Sequence, residues 1–60
     1  MLITTPNLPD PDAIYAALLA AHKGRTEAES HALNARLVLI LINHVGDALV
    51  LKQALDLAKR

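Results

Sequence analysis

The sequence predicts an all-α protein: a small three-helix hairpin or bundle, with helices over about residues 11–23, 27–45 and 48–59, that completes its core by homodimerisation. Three observations carry this expectation. Apolar residues recur at helical spacing in three segments, and each segment opens on a residue suited to capping a helix. The apolar mass is Leu, Ile, Val and Ala with one aromatic, Tyr15, which suits helix packing and supplies no stacking platform for bases. The middle segment, LNARLVLILINHVGD from Leu33 to Asp47, is apolar around most of its circumference and needs neighbours on several sides.

Residues 1–10 hold Pro6 and Pro9, with Pro11 immediately after. Proline fixes its own φ and biases the preceding residue toward extended geometry, so this segment is expected to be an extended arm. Leu2, Ile3 and Leu8 give the arm something to bury, and it either frays as a terminus or lies across the bundle or a partner subunit. The first helix starts at Asp10-Pro11-Asp12. Asp10 accepts from unpaired amides as N-cap, Pro11 is tolerated at the first helical position, and Asp12 sits at the positive end of the dipole. Ile14, Ala17, Leu18 and Ala21 then make one stripe, with Tyr15, Leu19 and His22 beside it. Ala13, Ala16, Ala17, Ala20 and Ala21 keep this helix slim, so another can approach closely. Lys23 and Gly24 end it, cation near the negative end and glycine in the left-handed position.

Thr26 and Glu29 have capping-box spacing, which starts the second helix at about residue 27. The short link makes the first two helices antiparallel neighbours. On the second helix Leu33, Leu37, Ile40, Leu41 and His44 share one face, and Asn34, Val38, Leu41 and Val45 the adjoining one. Only the direction of Glu29, Arg36, Asn43 and Asp47 is consistently polar. Such a helix is expected to be buried. Gly46 and Asp47 then end it and cap a third helix, the rival being one long helix kinked at Gly46. In the third helix Ala48, Leu51, Leu55 and Ala58 form one stripe and Val50, Ala54 and Leu57 another, leaving Lys52, Gln53, Asp56, Lys59 and Arg60 outside.

Sixty residues make one domain, residues 11–60 after the arm, and a chain this short buries only about 60% of its unfolded surface. The hydrophobic share is 53%, more than two flanking helices can cover. The uncovered remainder is expected to drive a homodimer, with the second or third helix at the seam. Charge and motifs exclude other classes. Six basic residues balance six acidic ones, so nothing recruits nucleic acid or an anionic membrane. No run approaches the roughly 18 apolar residues of a membrane span, and no cationic lead precedes an apolar core as in a signal peptide. The absence of cysteine excludes disulfides and thiol chemistry and favours the cytoplasm. With only Gly24 and Gly46 there is no phosphate-cradling loop, and no cofactor is expected.

The polar residues within the second helix are the candidates for function. Arg36, Asn43 and Asp47 form a strip that either faces solvent or, across a two-fold seam, lets Arg36 reach Asp47 of the other chain with Asn43 near the axis. Asn34 lies amid Val38, Leu41 and Val45 and is expected to hydrogen-bond to backbone or to the arm. His44 shares its face with Leu33, Leu37 and Ile40 and is read as a core or interface residue before a general base. His22 and His31 flank the first turn and can approach each other, though their spacing fits no metal motif.

Taken together, PNLPDPDAIYAALLAAH, SHALNARLVLILINHVGD and VLKQAL resemble a small bacterial all-helical domain family of unknown function, over about Pro6 to Leu55. LNARLVLILINHVGD is the most specific part, and the Gly24-Arg25-Thr26 turn is looser. The resemblance implies that Asn34, Arg36, Asn43, His44, Gly46 and Asp47 belong to the family pattern and assigns them no role. The function is therefore unknown. The expectation is a non-enzymatic, self-associating interaction module, or an accessory subunit of a larger bacterial enzyme with a protein partner. Its interface residues are taken as Asn34, Arg36, Leu37, Ile40, Asn43, His44 and Asp47. The rival is a small ligand-binding or catalytic oligomer with an inter-subunit site around Arg36, Asn43 and His44.

Overall fold

The computed structural model describes all 60 residues and contains three helices and no strand: α1 (Pro11–His22), α2 (Glu27–Val45) and α3 (Ala48–Ala58). Each start is set by local side chains. Asp10 accepts from the Ala13 amide at 3.1 Å and Pro11 occupies the first turn. The Thr26 hydroxyl accepts from the Glu29 amide at 3.2 Å while the Glu29 carboxylate accepts from the Thr26 amide at 2.9 Å, a complete capping box. Asp47 Oδ1 accepts from both the Leu49 and Val50 amides.

The stops are equally local. Gly24 follows α1 at φ +77° and Gly46 ends α2 at φ +63°, in the left-handed region that a side chain disfavours. The Gly46 amide still donates to the Ile42 carbonyl at 3.0 Å, and Asp47 immediately restarts the chain as a cap. Gly46 is thus a break between two helices and not a kink in one. Lys23 turns out to extended geometry, so α1 closes one residue before the sequence expectation, and α3 ends at Ala58 with Lys59 as its cap.

α2 lies between the other two helices. α1 and α2 together line one apolar groove, α2 and α3 line another, and no groove is shared by α1 and α3. The arm folds back onto α3, where the Leu2 amide donates to Gln53 Oε1 at 3.1 Å. Helical periodicity places Gln53 outside; the arm instead makes it half-buried. Apart from this bond, the only side-chain hydrogen bond joining two elements is that of His22 to Asn34.

The expectation that α2 is buried does not hold within the chain. None of the 60 residues is buried. On α2 only Ser30, Leu33, Leu37 and Ile42 reach intermediate burial, while Leu39 and Ile40 stay 66% and 65% exposed. Flanking helices of 12 and 11 residues touch two sides of a 19-residue helix and leave the rest wet. The radius of gyration, 13.2 Å, exceeds the about 10 Å of a compact domain of this length. The accessible surface, 5392 Å² for a 6.5 kDa chain, exceeds the about 3,800 Å² of a compact monomer of that mass.

Candidate functional site

The largest concave feature is the α1–α2 groove, about 460 Å³ in volume. Ile14, Ala17, Leu18 and Ala21 form its α1 wall, and Leu33, Leu37 and Ile40 its α2 wall, with Arg36 as the one polar residue. The wall residues follow from the 3.6-residue period, which stacks positions three and four apart on one face. Alanines at positions 17 and 21 make the α1 wall low, so the floor is open. The α2–α3 groove is smaller, about 240 Å³, and wholly apolar, lined by Val38, Leu41, Ile42 and Val45 of α2, by Val50, Leu51 and Ala54 of α3, and by Leu2 of the arm.

One polar clasp holds α1 to α2. His22 Nδ1 lies 2.7 Å from the Leu18 carbonyl and Nε2 lies 2.8 Å from Asn34 Oδ1. A carbonyl can only accept, so Nδ1–H is the donor to Leu18. The Asn34 amide can present either its oxygen or its NH₂, and the contact therefore suits both the protonated and the neutral ring. Asn34 thus finds its partner on α1, neither on backbone nor on the arm as the sequence suggested. Its partner is the ring that the first turn brings over from α1. His22 and His31 do not meet. His31 faces outward and pairs with Glu27 one turn earlier, at 3.4 Å, in an exposed contact of little energetic weight.

The candidate residues of α2 are distributed to different places. Arg36, Leu37 and Ile40 line the α1–α2 groove. Asn43 and Asp47 line a hollow of about 340 Å³ at the α2–α3 turn, beside Gly46. Asn34 is in the clasp, and His44 is exposed, lines no groove and makes no side-chain hydrogen bond. Asp47 Oδ1 is already engaged by two amides of α3, which leaves only its other oxygen for a cation. Arg36 makes no ion pair, since the two salt bridges are His31 to Glu27 and Lys59 to Asp56.

The acid–base inventory is correspondingly sparse. Glu29 is held below the usual carboxylate value of 4.5 by the Thr26 backbone amide, then by the Thr26 side chain, with a smaller contribution from the Arg25 cation; slight desolvation opposes them. All of this serves the capping box. No three His, Asp or Glu side chains converge as a metal site, and no helix is long and apolar enough to cross a membrane. Sequence reasoning missed His22 as the partner of Asn34 and Gln53 as the anchor of the arm. The one available signal was the place of His22 beside the apolar stripe of α1, where a polar side chain needs a partner.

A family model matches residues 2–60, nearly the whole chain. The chain belongs to that family, described as protein of unknown function (DUF2783). The match agrees with the resemblance drawn from the sequence and brings no activity with it. No curated protein and no solved structure matches the chain.

Proposed function

We propose that the protein is a non-enzymatic helical interaction module that works as a homodimer. The observation that carries this reading is the absence of any buried residue in a chain whose helices are all well capped. Helices as short as the 12-residue α1 and the 11-residue α3 are marginal alone in water, and helices in proteins draw most of their stability from packing an apolar face. A single copy provides little of that packing. Two copies provide it without any further component, and the balanced formal charge opposes neither copy.

The polar residues support a structural role over a catalytic one. Arg36, Asn43 and His44 fall in three separate surroundings of the chain, and no general acid is matched to a base in either groove. Sedimentation equilibrium or light scattering at micromolar concentration tests the reading. A mass near twice 6.5 kDa is expected, and a stable, folded monomer would overturn it.

A further inference from the structure

Two apolar grooves flank α2, and the chain itself treats them differently. Leu2 lies against the α2–α3 groove and is tied there by the hydrogen bond its amide donates to Gln53, so the arm is a cover supplied in cis. The α1–α2 groove is about 460 Å³ against about 240 Å³, and every residue lining it belongs to its own two walls. No segment of the chain lies over it.

We propose that the α1–α2 groove is the seat of a second copy of this chain, docked on the same groove of the first about a two-fold axis, so that two α1 helices and two α2 helices share one core. This rests on the self-association reading and specifies which surface performs it. The area argument selects the occupant. The chain exposes about 1,600 Å² more than a compact monomer of its mass. A stable interface needs about 800 Å² from each partner. A short peptide or small ligand in one groove would leave most of the excess uncovered, whereas a second copy burying about 800 Å² on each chain removes about half of it from both at once.

The walls also complement each other. Ile14, Leu18 and Ile40 stand partly exposed along the lips, while Ala17 and Ala21 leave the α1 wall low enough for a neighbouring helix to settle between them. An isologous contact sets the projecting residues of each copy against the low wall of the other. Arg36 is the one polar residue of the lining, and a long side chain of this kind can lay its aliphatic stem on apolar surface while its guanidinium reaches water. On this geometry Asn43, His44 and Asp47 lie outside the seam, and Arg36 needs no bond to Asp47 of the other copy.

The chain has no cysteine, so single thiols can report on the seam. Ala17→Cys places one in the groove, and Leu39→Cys places one on an exposed α2 position that lines no groove. Each variant is labelled with a water-soluble maleimide over a concentration series, with the mass measured in parallel. The expected result is a dimer in which labelling of Ala17→Cys is lost as concentration rises while Leu39→Cys reacts at one rate throughout. A dimer in which Ala17→Cys stays reactive overturns the seam and leaves self-association standing. A folded monomer at all concentrations overturns both, and assigns the groove to a different protein or to an aliphatic ligand.

Discussion

If the core exists only between two chains, stability must depend on concentration, and the size of that dependence follows from the chain length. Unfolding a dimer of two 60-residue chains carries an entropy of roughly 0.25 kcal/mol/K at about 2.1 cal/mol/K per residue. Each tenfold dilution removes about 1.4 kcal/mol from the dimer relative to two unfolded chains. The thermal midpoint should therefore fall by about 5–6 °C per decade of concentration. The assay is helical circular dichroism, melted from about 1 to 100 μM, where the accumulated shift of about 11 °C is well outside instrumental scatter. A monomer that folds alone gives a midpoint independent of concentration. That flat result, with a cooperative transition, would refute the inference from absent burial to obligate assembly. It would mean that half-covered residues such as Leu33, Leu37 and Ile42 suffice to hold the chain together.

Three further outcomes test local features. Gly46→Ala is expected to destabilise the fold by about 1–2 kcal/mol in denaturant titration, because the left-handed backbone at φ +63° strains the new side chain although its Cβ would meet only the Asn43 carbonyl at an ordinary 3.7 Å. Acidification should loosen the start of α2. The folded Glu29 carboxyl titrates below its unfolded value, so its contribution is complete above the unfolded value of 4.5 and is lost as pH falls through the lower folded one. A carboxyl titration followed by nuclear magnetic resonance should place its midpoint below 4.5, and Glu29→Gln should abolish that step in the amide shift of Thr26. A double-mutant cycle with His22→Ala and Asn34→Ala should return a coupling of about 0.5–1.5 kcal/mol; additive losses would show that the clasp contributes nothing.

What was legible in the sequence is what is local in the structure. Asp10, Thr26 with Glu29, and Asp47 each cap the helix expected of them, and Gly24 and Gly46 take the left-handed geometry expected of glycine at those places. These features depend on a few residues of one chain segment, so spacing alone suffices to read them. Gln53 and Asn34 were misread because their partners, Leu2 and His22, lie 51 and 12 residues away and depend on how segments are set against one another. The apolar circumference of α2 was read as burial, and within the chain it is not buried, since a pattern records which faces are apolar and not whether the chain has residues enough to cover them.

The absence of buried positions changes what a surface means in this molecule. Replacing exposed Leu and Ile by Lys or Glu is a standard way to make a small protein easier to handle, and it rests on a division between an inside that folds and an outside that is free. Here Ile14, Leu18 and Ile40 would fall within such a scheme, since each is exposed. They also line the α1–α2 groove, over which no segment of the chain lies. Redecorating them is expected to yield a chain that dissolves and no longer holds a shape. For this fold, tolerance to substitution should be sought at the caps' solvent side and on the outer turns of α3, around Lys52 and Asp56.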